Sequence, residues 1–330
     1  MRRREFITLL GGASFFWSGI ASAESSQRVR RVSLLLGLAE QGEETRLRVQ
    51  AFRLGLRDLG WHEGRNVVLD YRYGASDLGL IKRYVKEVVD QAPDVIVGNS
   101  SPVLAALHQA TTQIPIVFAV VNDPVGQGFI SSLARPGGNI TGFTFLDFEM
   151  VGKWINMLTD VAPNLRRVAL MFNPITAPYY DGFLRSFKAM KQPFLAEAEA
   201  AHVGSAAEIE STIAKLGREP GSGLIAPGDP FVVDQRSTII KSAGKHHVPV
   251  ISPYRQFVIE GGLISYGPDP IDIFRRASSY VDRILKGETP ADLPAQSPVK
   301  YQLIFNLKTA KSLGLAISDS FLLLADEVIE

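Results

Sequence analysis

The 330-residue chain contains no cysteine and only five histidines. The absence of cysteine excludes disulfide bonds, thiol nucleophiles, cysteine-ligated zinc and a lipid carried on an amino-terminal cysteine. Neither positive nor negative charge is in excess, because the chain has 35 Lys and Arg residues and 34 Asp and Glu residues. Such a balanced chain is not built to attract nucleic acid or an anionic membrane.

Sequence motifs of catalysis are also missing. The chain has no Gly-x-Ser-x-Gly elbow, no Walker loop and no His-Glu-x-x-His helix. We therefore expect a protein that is not an enzyme and that needs no cofactor and no metal ion.

The first residues, MRRREFITLLGGASFFWSGIASA, have a basic start, an apolar middle and a small-x-small end. This pattern predicts a secretory signal peptide over residues 1–23, cleaved after Ala23. The adjacent Arg3 and Arg4 favour the twin-arginine export route, with the general secretory route and an uncleaved membrane anchor as alternatives. Cleavage removes three arginines and one glutamate and changes the formal net charge from +1 to −1.

The remaining chain of about 307 residues is longer than one hydrophobic core usually organises, which favours two domains. Short apolar strands alternate with amphipathic helices, a rhythm that predicts a parallel, doubly wound sheet. The rhythm restarts after residues 135–147, and Ile114-Pro115-Ile116 has a counterpart in Val248-Pro249-Val250. Residues 261–307 do not complete a third unit and are expected to pass back between the two halves.

Two such lobes form a cleft, and ligands gather at the carboxyl ends of parallel strands. The turn Asn99-Ser100-Ser101 follows the third strand, with Ser101 expected as the helix N-cap, and its free N–H groups suit a carboxylate. Asn122 and Asp123 follow the fourth strand, and Asp229 has the corresponding place in the second half. An acid here would hold a ligand ammonium group, although an Asp-Pro pair is also a common turn and capping device.

Aromatic residues at strand ends and crossings are the third group of candidates for ligand contact. They are Phe143, Phe172, Tyr254 and Tyr266. Each of them could instead belong to the hydrophobic core.

Three segments carry a family resemblance: residues 52–77, 94–145 and 261–315, which include GNSSP, VVNDPVGQG and GGLISYGPDP. They resemble the ABC-transporter substrate-binding proteins of the tryptophan-binding-receptor type. The resemblance implies an α/β, type I periplasmic binding protein, with two Rossmann-like lobes joined by three crossover segments. It places residues 30–142 and 266–297 in the first lobe, and residues 143–265 and 298–330 in the second.

The resemblance further implies a monomeric periplasmic receptor that delivers an amino acid or related carboxylate to an inner-membrane ABC permease. A ligand sensor that serves a membrane signalling protein is the alternative. One departure from the family is the loop GLAEQGEETR after the first strand, which is polar and lacks aromatic residues and so disfavours a large aromatic ligand.

The export signal can be tested by replacing Arg3 and Arg4 together with lysine. The twin-arginine receptor recognises this pair and not merely its positive charge. We expect the double variant to accumulate unprocessed in the cytoplasm, as detected by cell fractionation and immunoblotting. Normal export of the variant would instead assign the protein to the general secretory route.

Overall fold

The computed structural model describes residues 28–189 and 197–330. The predicted export signal lies outside these residues. The strands are β1 (Arg30–Leu36), β2 (Val67–Tyr73), β3 (Val95–Asn99), β4 (Ile116–Val121), β5 (Ile140–Thr144), β6 (Arg167–Phe172), β7 (Glu197–His202), β8 (Ser222–Ile225), β9 (Val250–Ser252), β10 (Ile264–Pro268), β11 (Tyr301–Asn306) and β12 (Glu327–Ile329).

The helices alternate with these strands through most of the chain. They are α1 (Glu43–Asp58), α2 (Leu78–Asp90), α3 (Ser101–Ala110), α4 (Met150–Val161), α5 (Tyr180–Ala189), α6 (Ala206–Gly217), α7 (Pro230–Asp234), α8 (Arg236–His246), α9 (Arg255–Ile259), α10 (Pro270–Leu285), α11 (Leu307–Ser312) and α12 (Asp319–Leu322). In the described part of the chain, no helix combines the length and the apolar character that crossing a membrane requires.

The strands form two sheets, as the repeated rhythm predicts. The first sheet has the order β2-β1-β3-β4-β5 and is parallel throughout. The second has the order β12-β11-β10-β9-β8-β6-β7, in which only β10 and β11 are antiparallel. β3 and β4 are buried along their whole length, as expected for parallel strands covered on both faces. The predicted α/β architecture is confirmed.

Helix α10 returns the chain to the first lobe. It follows β10 of the second sheet, yet it packs along α1, which follows β1 of the first sheet. The two helices approach closely at Gly55, where an added Cβ atom would lie 2.2 Å from the Ser278 hydroxyl oxygen. This close contact requires the chain to cross between the lobes again before and after α10.

The three segments that connect the lobes are joined to one another by hydrogen bonds. The Thr144 N–H donates to the Gln296 carbonyl at 2.9 Å, and the Gln296 N–H donates to the Gly142 carbonyl at 2.9 Å. The Lys300 ammonium donates to the Asp269 carboxylate at 3.1 Å. We call residues 142–146, 268–270 and 296–300 the strap. The division of the chain at residues 142/143, 265/266 and 297/298 stays a prediction.

Two local features bear on the cleft. Residues 230–246 form two helices and not one, because Gln235 leaves helical geometry between α7 and α8. The N-cap of α3 is Ser100 rather than Ser101, and its side chain makes no capping hydrogen bond among the described residues. Ser100 has a φ of 85°, in the left-handed region that costs a non-glycine residue free energy.

Gly142, in β5 and at the start of the strap, gives a test of the packing between β4 and β5. Its φ is 152°, and an added Cβ atom would lie 2.1 Å from the Phe118 carbonyl oxygen. Backbone strain and overlap together should cost Gly142→Ala on the order of 2–4 kcal/mol of unfolding free energy. Urea unfolding measures this loss.

Gly128 provides the matched control, because its φ is also positive but an added Cβ atom would meet nothing within 4 Å. Gly128→Ala should cost only about 1 kcal/mol, from strain alone. Equal losses in the two variants would contradict the close contact at Gly142.

Candidate functional site

A cavity lies between the two lobes at the carboxyl ends of the parallel strands. Only about 10 Å³ of it is open to the centre of a water-sized sphere, which is about the space that one water molecule needs. The lobes are therefore closed on each other in this structure. The first lobe contributes Leu38, Arg48, Asn99, Ser100, Ser101, Val120 and Asn122, and the second contributes Tyr179, Gly228, Pro230 and Tyr254.

The amino terminus of α3 faces this cavity. Ser100 is only 6% exposed, and its hydroxyl has no hydrogen-bond partner among the described residues. Because this hydroxyl makes no capping hydrogen bond, it is available to a ligand in the cavity that Ser100 lines. Gly37 makes room for it, since a Cβ atom there would lie 2.4 Å from the Ser100 oxygen. The site thus combines an unpaired hydroxyl with the positive end of a ten-residue helix, a combination that suits an anion.

Asn99 supplies an acceptor beside this donor group. Its amide nitrogen donates to the Ala119 carbonyl at 3.0 Å, while its amide oxygen has no partner among the described residues. A buried amide oxygen is costly to leave unbonded. The cavity therefore offers a place for an N–H or O–H group of a ligand.

Asn122 connects the lobes across the cavity. β4 has a bulge here, where the pairing with β5 shifts between Ala119 and Val121 and Val120 has a φ of 60°. Beyond the bulge, the Asn122 amide oxygen accepts from the Leu146 N–H at 2.9 Å, and its amide nitrogen donates to the Gly228 carbonyl at 3.3 Å. The Asn122 side chain is therefore part of the closed arrangement of the lobes.

Among the described residues that line the cavity, Arg48 alone carries a formal charge. Its Nε and Nη2 atoms donate to one oxygen of Glu44 at 3.0 and 2.9 Å. The guanidinium lies 5.4 Å from the centre of the Tyr254 ring, which belongs to the second lobe. Burial lowers the pKa of Arg48, but Glu44 and Tyr254 together raise it by more than burial lowers it. The pKa therefore lies above its ordinary value, and Arg48 stays charged in the closed cavity.

Asp229 is not among the residues that line the cavity. Its carboxylate caps α7, accepting from the N–H groups of Phe231 and Val232 at 2.8 and 3.3 Å. It also accepts from the Thr176 hydroxyl at 2.6 Å and the Asn173 N–H at 3.2 Å. The structure thus gives this acid the capping role that the sequence analysis kept as an alternative.

The other four predicted residues outside the cavity lining have neighbours within a lobe or near the strap. The Asp123 carboxylate accepts from the Gly126 N–H at 2.8 Å within a turn. The ring of Phe143 packs on Tyr280, that of Phe172 on Tyr180, and that of Tyr266 on Tyr301. The structure thus brings five of the ten predicted residues to the cavity: Asn99, Ser100, Ser101, Asn122 and Tyr254.

Sequence reasoning missed Arg48 and Tyr179. Arg48 lies on the buried face of α1, together with Glu44, Phe52 and Gly55. A charged pair four residues apart on an otherwise apolar helix face is the signal that could have identified it. Tyr179 precedes α5, and its hydroxyl donates to the Gly228 carbonyl at 2.7 Å; no pattern in the sequence distinguishes it from a core residue.

Comparison with known proteins identifies similar chains along almost the whole length. A model of the family described as ABC transporter substrate binding protein matches residues 41–329. The tyrosine-binding protein of Clostridioides difficile is 24% identical over 313 residues, which are 94% of this chain and 89% of that protein.

Solved structures with the same fold include a conserved domain protein of Vibrio cholerae, with a TM-score of 0.83 and 25% identity. The match covers 91% of this chain and 100% of that chain. Another is the ABC domain of Streptococcus pneumoniae in complex with L-Trp, with a TM-score of 0.81 and 24% identity, covering 91% of this chain and 99% of that chain. These matches agree with the predicted type I periplasmic binding protein fold.

Asp229 gives a test of this geometry through pH. Burial raises its pKa to about 6, above the value of about 3.9 in an unfolded chain. The stability that this carboxyl group contributes is therefore fully present below pH about 4 and is lost as the pH rises through 6. Relative to Asp229→Asn, the wild type should lose about 3 kcal/mol of unfolding free energy across this window.

Urea unfolding of both proteins between pH 4 and pH 7.5 measures the difference. Asparagine is itself a good N-cap, so the variant should fold. An identical pH dependence of the two proteins would show that the Asp229 carboxyl group is not buried as described.

Proposed function

Because the chain belongs to the ABC transporter substrate-binding protein family, we propose that it is the exported solute receptor of an importer. It closes its lobes over a small organic ligand that carries a carboxylate, and the closed form is the one presented to an inner-membrane permease. Proteins of this family bind substrates and are not enzymes. The proposal includes export by the cleaved signal of residues 1–23 to the periplasm, and action as a monomer.

The unpaired Ser100 hydroxyl at the amino terminus of α3 carries this proposal. A carboxylate there accepts hydrogen bonds from the hydroxyl and from free N–H groups of the first turn of α3, beginning at Ser101. The positive end of the helix favours the same negative charge. Arg48 adds one positive charge to the cavity wall, largely balanced by Glu44.

The remaining polar group of the ligand would face Asn99. The amide oxygen of Asn99 is a neutral acceptor without a partner among the described residues, and it suits an ammonium or hydroxyl group. An amino acid carries a carboxylate and an ammonium group next to each other, and one relative is named for tyrosine and another was solved with L-Trp. We therefore propose an amino acid or a related carboxylate as the ligand.

The cavity and its small open volume support ligand entry by separation of the lobes. With about 10 Å³ open, the arrangement in this structure has no room for an amino acid, so the lobes separate to admit one and close around it with a larger cavity. The free protein should therefore be more open than the closed structure, with Asn122 no longer bonded to Gly228. Bending of the strap supplies this motion.

Mass spectrometry first identifies any small molecule that the purified protein releases on denaturation. Calorimetry with L-tyrosine and L-tryptophan as probes then tests the carboxylate site. In Ser100→Gly the hydroxyl is lost while glycine accepts the φ of 85°. A hydrogen bond to a charged group is worth about 1.5–3 kcal/mol, so we expect affinity for a bound probe to fall roughly 10- to 100-fold.

Ser205→Gly is the matched control, because Ser205 caps α6 and does not line the cavity. It should bind the probe like the wild type. Binding of a carboxylate probe to Ser100→Gly within about threefold of the wild type would refute the proposed carboxylate site. A protein that releases no small molecule and binds neither probe would refute the proposed ligand class.

A further inference from the structure

Helix α7 joins the cavity to a second contact between the lobes. The residues at its start, Gly228 and Pro230, line the cavity. Its last residue is Asp234, about 6 Å from Pro230 along the helix axis. The start of α7 is attached to the second lobe, because Asp229 accepts hydrogen bonds from Asn173 and Thr176.

Asp234 belongs to the second lobe but accepts hydrogen bonds from the first lobe. One carboxylate oxygen accepts from the Ser76 hydroxyl at 2.7 Å, and the other accepts from the Ala39 N–H at 3.5 Å. Ala39 follows β1 and Ser76 follows β2, so both donors come from loops at the carboxyl ends of first-lobe strands. Burial of the carboxylate between the lobes raises the pKa of Asp234, while the Ser76 hydroxyl lowers it.

The two donors are held in place by hydrogen bonds within the first lobe. Ala75 and Ser76 both have positive φ angles, 46° and 59°, an unfavourable conformation for two consecutive non-glycine residues. The Ser76 N–H donates to the Gly37 carbonyl at 2.8 Å, and the Ala75 N–H donates to the Leu38 carbonyl at 3.2 Å. Leu38 itself lines the cavity, so the loop that carries the Ala39 donor also contacts the ligand space.

We propose that Asp234 is a positioning residue for ligand capture, which holds the closed form by hydrogen bonds to Ser76 and Ala39. We call these three residues the clasp. This inference rests on the proposed function, since the clasp matters only if the lobes close on a ligand. The clasp touches no ligand itself, and it acts through α7, whose first residues form the cavity wall.

Arg236, the charged side chain two residues after Asp234, makes its hydrogen bonds to other groups. The Arg236 guanidinium donates to the Glu260 carboxylate at 2.8 and 2.6 Å and to the Val233 carbonyl at 3.2 Å. Asp234 therefore keeps its carboxylate oxygens for the first lobe. Asparagine at this position would keep one acceptor oxygen for Ser76, whereas alanine would keep none.

Dissociation kinetics with L-tyrosine as the probe test the clasp. Because its bonds form only on closure, Asp234→Ala should raise the dissociation rate about tenfold and leave the association rate unchanged. Asp234→Asn should raise the dissociation rate about threefold or less. Asp181→Ala, an exposed change on α5 of the second lobe, is the control and should change neither rate. An unchanged dissociation rate in Asp234→Ala would overturn the proposal.

A second experiment needs no ligand, and so it separates failure of the clasp from failure of the proposed ligand class. The chain has no cysteine, so Ser76→Cys with Asp234→Cys places the only two thiols of the protein at the clasp. Mild oxidation should join them and give a more compact particle by small-angle scattering than the reduced protein. The control pair is Thr289→Cys with Asp292→Cys, because the Thr289 hydroxyl donates to the Asp292 carboxylate at 2.7 Å only three residues along the chain. It should oxidise without changing the scattering. Oxidation of the control pair alone would overturn the proposal, even if L-tyrosine binds.

Discussion

The packing of α10 against α1 is the interaction on which the two-lobe arrangement depends. The chain has already built most of the second lobe when it reaches α10, and the close contact at Gly55 and Ser278 returns it to the first. The same packing supports the wall of the cavity, because the centre of the Phe274 ring on α10 lies 6.0 Å from the Arg48 guanidinium carbon. A buried cation on α1 is tolerable only with a fixed partner and fixed neighbours, and α10 helps to supply them.

Much of the architecture could be predicted from sequence because hydrophobic period and turn residues are local signals. They identified the alternating strands and helices, the repeat of the pattern and the parallel sheets. The direction in which a side chain points at the end of a strand is not local. At the positions of Asp123 and Asp229, an acid that binds a ligand and an acid that caps a turn look alike in the sequence. The structure distinguishes them, because both carboxylates accept hydrogen bonds from nearby backbone N–H groups.

Ser100 shows the same difficulty at the scale of one residue. The motif GNSSP indicated a capped helix, and Ser101 beside Pro102 is a reasonable cap by type. The left-handed backbone of Ser100 moves the cap one residue earlier and leaves its hydroxyl unbonded. Arg48 was missed for the opposite reason, since the apolar period of α1 hid a charged pair on its buried face. Both residues depend on tertiary contacts that a single sequence does not display.

The strap determines what kind of motion is available to the lobes. One flexible linker would let the lobes turn about any axis, and each capture would then have to find the right mutual orientation by chance. Three chains tied side by side, with Gln296 bonded to residues 142 and 144 and Lys300 bonded to Asp269, resist twisting and stretching far more than bending. Under the proposed mechanism, closure is a rotation about one axis with the opposing surfaces already in register. The entropy of aligning the lobes is lost once, when the chain folds, and not again each time a solute molecule is captured.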